Sequence, residues 1–138
     1  MIAKHIYNRL SSTGELTRKI ADRIWPEVAV DNNETPYVVY SLIDDVDDVS
    51  LLGLSNRIET RVQVDCWSAT MIEARELAIA VRDALISMSG TFGDVVIQTV
   101  RPDGRRSNSE PENESGGQGL FGVSGDFVFS WHEPPPPV

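Results

Sequence analysis

Hydrophobic and polar residues alternate from Arg57 to Trp67, and the period then changes to that of a helix. Side chains of a β-strand point to opposite faces in turn, so the alternation predicts a strand with one buried and one solvent-facing side. Thr70 followed by Glu73 is a capping-box pattern, which predicts a helix start directly after the strand. Residues with helical spacing then continue to Met88. The face of the strand that we expect to be buried carries Ile58, Thr60, Val62, Val64 and Cys66, and the buried helix stripe carries Ala74, Leu77, Ala78, Val81, Leu85 and Met88.

The N-terminal part of the chain predicts helix followed by strand. Apolar positions from Ile2 to Leu10 indicate a first helical segment, and a second apolar stripe extends to Ile24 with Thr13 as a helix cap. Residues 27–30 are expected to form a short extended piece that ends in a turn. Residues 36–43 are rich in β-branched and aromatic side chains, which is typical of a strand.

Two further strands are predicted near the C-terminus. Residues 94–101 form one, and the aromatic-rich residues 121–131 form the other, whose odd-numbered side chains we expect to fill much of the core. Between them, residues 102–104 are expected to turn the chain out of the sheet. Residues 105–119 contain no aliphatic or aromatic side chain, so they are predicted to be a mobile insertion.

This order of elements favours the α+β class. We expect a mostly antiparallel sheet of about four to five strands, with helices packed on one face. Residues 1–133 are predicted to form a single domain that contains the mobile insertion. Residues 134–138, which include four consecutive prolines, are predicted to form a stiff polyproline tail.

Composition narrows the function classes. The 138 residues carry a net charge of −9, whereas a nucleic-acid-binding domain gathers Lys and Arg to displace counterions from phosphates. Sequence-specific nucleic-acid binding is therefore not expected, and no apolar run approaches the roughly 20 residues of a membrane-spanning helix. The single cysteine, Cys66, cannot form an internal disulfide, and the N-terminus does not resemble a secretory signal, so we expect a reducing intracellular setting.

Residues 44–56 are predicted to be a polar connection that begins with a cluster of acids. A calcium loop starting at Asp45 would place Ser50 where glycine is required and Asn56 where glutamate is expected. The cluster is therefore interpreted as a solvated loop and not as a metal site. Its acids are Asp44, Asp45, Asp47 and Asp48.

No enzyme motif is found. His5 and His132 lie near opposite ends of the chain, and neither has a metal-ligand or acid-paired spacing. Cys66 falls on the buried face of its strand, where burial disfavours the reactive thiolate. The glycine-rich residues 116–119 lack the following lysine of a phosphate-binding loop. We therefore predict no catalytic residue, no cofactor and no metal.

Three segments taken together resemble the tail completion, or tail terminator, proteins of long-tailed bacteriophages and prophages, such as the lambda tail terminator. They are the strand opening Thr35–Tyr40, the strand Arg61–Trp67 with the helix Glu73–Leu85 directly after it, and the closing strand Gly125–Trp131. The likeness covers roughly Thr13 to His132.

The resemblance implies a small α+β virion subunit that forms a homo-oligomeric ring, expected to be a hexamer, at the head-proximal end of the tail tube. It implies the tail tube protein and the head–tail connector protein as partners, and assembly in the host cytoplasm. No catalytic residues carry over. A closed ring needs two different patches on each subunit, and the exposed candidates for these patches are Asp44, Asp45, Asp47, Asp48, Arg57, Arg105 and Arg106.

Three other functions are compatible with the sequence. A neck or head–tail joining protein would share the size, charge and fold class. A small-molecule-binding or enzymatic α+β domain would show a pocket with converging polar groups. An adaptor would present the polyproline tail, residues 134–138, to a partner groove.

Overall fold

The described part of the chain forms a mixed six-stranded sheet with three helices, which confirms the predicted α+β class. The structure is a computed structural model that describes residues 2–27, 35–50, 53–110 and 120–133, without the side chains of residues 48–50, 53–56 and 108–110. The helices are α1 (Ile2–Ser12), α2 (Gly14–Ile20) and α3 (Met71–Ile86). The strands are β1 (Ile24–Pro26), β2 (Tyr37–Ser50), β3 (Gly53–Ser68), β4 (Gly90–Phe92), β5 (Val95–Glu110) and β6 (Leu120–His132).

The strand order in the sheet is β1-β2-β3-β6-β5-β4. β1 runs parallel to β2, and the other neighbouring pairs are antiparallel, as predicted for most of the sheet. The described sheet has more strands than the predicted four to five because two three-residue strands, β1 and β4, lie at its outer margins. Strands this short leave too little periodic pattern to be recognised in a sequence.

The predicted polar connection at residues 44–56 is largely strand, so that prediction is wrong. β2 continues to Ser50 and pairs with β3 down to Ser50↔Gly53. The register shifts between Leu42 and Asp44, which leaves Ile43 as the extra residue of a bulge. Aspartate is unfavourable in strands, but cross-strand pairing overrides that weak preference. Here Asp45 Oδ1 accepts a hydrogen bond of 2.6 Å from Thr60 Oγ1 on β3.

The prediction that the chain leaves the sheet at residues 102–104 is also wrong. β5 has a register shift between Pro102 and Arg105 and then pairs with β6 as far as Glu110↔Leu120. Proline lacks an N–H donor, so it is tolerated here at a bulge in a strand near the sheet margin. Residues 105–110 of the predicted mobile insertion therefore belong to the β5 ladder. The rest of it, residues 111–119, and the predicted polyproline tail, residues 134–138, lie outside the described residues.

The second helix ends earlier than its apolar stripe predicts. α2 stops at Ile20, Ala21 adopts a positive φ of 53°, and Ile24 lies in β1 opposite Val38. The predicted cap residue, Thr13, precedes α2 but makes no side-chain cap bond, because its hydroxyl donates to the Arg9 carbonyl at 2.6 Å. The extended piece predicted at residues 27–30 falls mostly outside the described residues.

The hydrophobic core lies between the three helices and one face of the sheet, here called the helix-covered face. The predicted parity of β3 and the predicted stripe of α3 are confirmed, since Thr60, Val62, Val64, Cys66 and all six stripe residues are buried. Thr70 caps α3 by accepting from the Glu73 backbone N–H at 3.2 Å. Phe129 on β6 is the largest fully buried side chain of the described residues.

Gly122 on β6 lies beneath the indole of Trp67, its cross-strand partner on β3. A Cβ at this position would be 2.8 Å from two atoms of the Trp67 ring, closer than atoms can pack. Gly122→Ala is therefore expected to destabilise the fold by about 1–2 kcal/mol, because overpacking costs about 1–3 kcal/mol and the loss of glycine's freedom in the unfolded chain offsets part of it. Urea unfolding measures this change.

Gly14→Ala is the matched control. Gly14 opens α2, and a Cβ there would have no atom within 4 Å. The control should stabilise the protein by about 0.4–1 kcal/mol. Equal effects of the two substitutions would show that Trp67 does not restrict position 122.

Candidate subunit-interaction surfaces

The open face of the sheet, opposite the helices, carries a network of charged side chains. Arg61 on β3 binds Asp103 in the β5 bulge, and its other terminal nitrogen, Nη1, lies 3.3 Å from Asp126 Oδ2 on β6. Arg106 Nη1 lies 3.5 Å from the same Asp126 oxygen. The network therefore links the three central strands and fixes the bulge against β3.

This network explains the pKa shifts on the open face. The hydrogen bond from Arg61 lowers the pKa of Asp103, and the same bond raises the pKa of Arg61. Asp126 is only 15% exposed, and its second oxygen, Oδ1, has no hydrogen-bond partner among the described residues. The sequence predicted Ser124, Asp126 and Ser130 to lie opposite the core, and they do so, but Ser124 and Ser130 are buried because β6 is central in the sheet.

Each outer strand of the sheet covers only part of its neighbour. Among the described residues, β1 pairs with β2 only at residues 38–40, and β4 pairs with β5 only at residues 95–97. Beyond residues 38–40 of β2 and residues 95–97 of β5, no described strand pairs with the outer edge of either strand. The Leu42 backbone N–H on that edge of β2 nevertheless has a partner, because it donates to Glu27 Oε1 at 3.4 Å. Because β2 and β5 run near opposite sides of the sheet, the subunit has two separate margins that could accept another strand.

The part of β2 that has no described strand beside its outer edge, residues 41–50, is called the acidic margin. It has four aspartates and no lysine or arginine. The side chains of residues 43–47 are exposed, and they include two apolar ones, Ile43 (51% exposed) and Val46 (55% exposed). An exposed strand that mixes acids with β-branched residues is suited to pairing with a basic, partly apolar surface.

The second surface is a groove between α3 and the outer half of β5, called the basic groove. Its volume is about 330 Å³, and it shares Arg105 with a second, smaller cavity of about 190 Å³. The groove is lined by Arg75, Ile79, Arg105, Arg106, Ser107 and Val123, and Arg82 lines the second cavity. Arg75 and Arg105 are the cations of the groove itself, because the guanidinium of Arg106 lies against Asp126 on the open face.

The structure places most of the predicted interface residues near the two margins of the sheet. Asp44, Asp45, Asp47 and Asp48 belong to the acidic margin, where the side chain of Asp48 is outside the description. Arg105 and Arg106 line the basic groove. Arg57 belongs to neither, because it is half-buried on β3 opposite His132.

Sequence reasoning missed the contribution of α3 to the groove. The signal was present, since Ile72, Ile79 and Ile86 recur every seven residues and fall outside the buried stripe. All three side chains are exposed, with Ile72 at 74%. Arg75 and Arg82 lie between them at helical spacing, so the outer side of α3 alternates apolar and basic residues.

The structure gives the surroundings of His5 and Cys66, which the sequence considered as candidate reactive residues. His5 does have an acidic neighbour that the sequence did not reveal, because its Nε2 lies 2.9 Å from Asp94 Oδ1, and this contact lowers the pKa of Asp94. His5 and Ser12 line one cavity of about 340 Å³. The Ser12 hydroxyl is not directed at His5, because it donates to the Asn8 carbonyl at 2.6 Å. Burial raises the pKa of Cys66, as expected for a thiol on the core side of β3.

Two features are absent from the described residues. No group of three or more His, Cys, Asp or Glu side chains there could hold a metal ion. None of the helices in the described ranges has the length and apolarity required to cross a membrane.

A fold similar to that of this chain is found among solved structures. A search of curated protein sequences finds no match. Among solved structures, the fold is similar to a protein of the virion of the native gene transfer agent particle, with a TM-score of 0.71 and 14% identity over 92% of this chain and 91% of that one. The bacteriophage SPP1 gp17 protein aligns with a TM-score of 0.49 and 17% identity over 92% of this chain and 87% of that one.

The family comparison covers most of the chain. The profile of the family described as Tail completion protein gp17 matches residues 4–124, which include all but the first two residues of α1, the helices α2 and α3, strands β1 to β5 and the start of β6. A match of this extent shows family membership, and the family is one of structural phage tail proteins without catalytic activity. The chain is a member of the tail completion protein gp17 family, a structural component of a phage-type virion and not an enzyme.

Proposed function

We propose that this protein is the tail terminator subunit, which forms a ring at the head-proximal end of a phage tail tube. The ring is a hexamer that stops tube polymerisation and presents a joining surface to the head. Membership of the tail completion family over residues 4–124 is the observation that carries this proposal.

Two features of the subunit support a ring. Identical subunits close into a ring only through head-to-tail contacts, in which two different surfaces of the subunit meet. The acidic margin on β2 and the basic groove beside β5 are two such unlike surfaces, and they lie on opposite sides of one sheet. A single surface that matched itself would favour a dimer instead.

The partners follow from the position of such a ring. One face of the ring contacts the last ring of the tail tube protein, and the other contacts the head–tail connector protein. The subunit is made in the host cytoplasm and becomes part of the virion on assembly. The likeness of the fold to a protein from a gene transfer agent virion supports assembly with other virion proteins.

Removal of the gene from its phage or prophage tests the proposal. Without a terminator, tube subunits continue to add, so lysates should contain tails much longer than normal and heads without tails. Tail lengths are measured by electron microscopy of negatively stained lysates. A plasmid copy of the wild-type chain should restore a single length.

Tails of normal length that are detached from heads would contradict the terminator proposal. That result would instead support the alternative of a neck or head–tail joining protein. Native mass spectrometry of the purified chain at two concentrations gives the ring size, and a mass that never reaches six subunits, alone or on isolated tails, would contradict the hexamer.

A further inference from the structure

We propose that the acidic margin of one subunit docks along the β5 edge and basic groove of a second copy of the same chain, and that this is the repeating contact of the ring. The inference rests on the proposed ring and specifies which surfaces make it. The contact joins residues 41–50 of one subunit to residues 101–107 and the outer side of α3 of the next.

Backbone hydrogen bonding is the first argument for this contact. β2 and β5 span 14 and 16 residues, and each is covered on its outer side for only three residues by a described strand. Strands in globular proteins are usually 3–10 residues long, and a long uncovered edge is a template for pairing with another chain. Pairing β2 of one copy with β5 of the next, from Arg105 onward and so beyond the Pro102 bulge, would extend the sheet across the subunit boundary.

Charge indicates which surface of one subunit meets which surface of the next. Asp44, Asp45 and Asp47 are exposed on the acidic margin, and the described part of that margin has no basic residue. Arg75 and Arg105 in the basic groove have no ion-pair partner among the described residues, and Arg82 and Arg106 have only contacts of 3.5 Å to Asp83 and Asp126. Two copies of the acidic margin would repel each other, as would two copies of the groove, so only the unlike pair is favourable.

Exposed apolar side chains occur on both surfaces. Ile43 and Val46 are about half exposed among the acids, and Ile79 is 49% exposed between the arginines of the groove. Burial of these side chains against each other would contribute about 25 cal/mol for each Å² of apolar surface removed from water. Both surfaces therefore have exposed apolar side chains flanked by charges, and the charges are negative on the margin and positive in the groove.

The test reverses charge on each surface separately. The double variant Asp44→Lys/Asp47→Lys reverses the charge of two side chains in the acidic margin. It keeps Asp45, which accepts a hydrogen bond from Thr60. Arg75→Glu with Arg105→Glu changes the groove, and leaves Arg106 to Asp126. Each double variant, supplied from a plasmid to a phage that lacks the gene, should lower the yield of infectious particles at least about tenfold, since like charges in a contact cost several kcal/mol.

Restoration of the contact is the decisive measurement. A chain with all four substitutions has exchanged its charges, so its margin and groove match again, and its yield should return to within about threefold of wild type. Supplying the two double variants together should also restore the yield, because alternating subunits close a six-membered ring. Glu15→Lys with Asp22→Lys changes the net charge by the same amount as the margin variant at residues remote from both surfaces, and should have no effect.

Each other outcome would overturn the contact. It fails if either double variant is as active as wild type, if the four-fold variant is no better than the double variants, or if the Glu15/Asp22 control is equally damaging. Thermal unfolding confirms that each variant is folded, as expected for exposed positions. If wild-type protein, but not the groove variant, shifts duplex DNA in a gel, the groove is a nucleic-acid site and the contact is wrong.

This result is separate from that of the gene deletion. Tail length in particles without the chain tests the terminator role alone. The charge variants are scored by infectious yield relative to the wild-type chain. That yield would depend on this protein whether it is a terminator or a joining protein. If the deletion gives overlong tails but the charge variants do not behave as expected, the terminator role stands and the contact is wrong. If the deletion gives tails of normal length but the four-fold variant restores the yield, the contact stands and the terminator role is wrong.

Discussion

Phe129→Ala is expected to destabilise the protein by about 3–5 kcal/mol, the largest effect of any single substitution proposed for this chain. Phe129 is fully buried on β6, between Thr60 of β3 and Val100 of β5. Truncation removes its apolar surface from the core and leaves a cavity that the surrounding strands fill only in part. Small domains have about 5–15 kcal/mol of total stability, so the variant should be near the limit of folding.

Urea unfolding followed by tryptophan fluorescence measures this change. Ile72→Ala is the matched control, because it also truncates a large apolar side chain but at a site that is 74% exposed. The control should change stability by no more than about 0.5 kcal/mol. A loss below about 1 kcal/mol for Phe129→Ala would show that β6 is not central to the core.

The sequence predicted those parts of the fold in which burial imposes a period. The alternation on β3 and the stripe on α3 correspond to buried positions at every predicted residue from Thr60 to Met88. Of the aromatic side chains of β6, Phe127, Phe129 and Trp131 are likewise buried in the core, and Phe121 is half-buried. Periodicity succeeds here because one face of each element is in the core, and a single shift in register would expose it.

The sequence failed where strand pairing and not side-chain burial holds the backbone in place. Residues 44–50 and 105–110 are polar, so their composition indicates loops. Both are strands because a long partner, β3 or β6, offers a continuous ladder of backbone donors and acceptors. Bulges near Ile43 and after Pro102 absorb the residues that do not fit the ladder.

The same reason explains how much of the candidate site could be predicted. The acidic residues of β2 and two of the arginines of β5, Arg105 and Arg106, were identified as exposed, but their arrangement on opposite margins depends on the strand order. Ile79 and Arg75 were recognisable only as residues outside the buried stripe of α3. That α3 packs beside β5, and so completes the groove, is a property of tertiary structure that no local pattern contains.

One buried polar chain links the acidic margin to the core. The indole N–H of Trp131 donates to Thr60 Oγ1 at 2.8 Å, and the Thr60 hydroxyl donates to Asp45 Oδ1 at 2.6 Å. Thr60 is fully buried, so its hydroxyl is satisfied only through these two bonds among the described contacts. Asp45 therefore stabilises the strand pairing of β2 with β3, in addition to its position on the margin.

Thr60→Val is expected to destabilise the fold by about 1–3 kcal/mol, because the nearly isosteric side chain leaves the Trp131 N–H buried without an acceptor. Trp131→Phe in the same background removes that N–H. The cost of the double substitution should therefore be smaller than the sum of the two single costs, by about 0.5–3 kcal/mol. Urea unfolding of the four proteins in this cycle measures the coupling. If the two losses of unfolding free energy add exactly, the hydrogen bond between Trp131 and Thr60 does not contribute to stability.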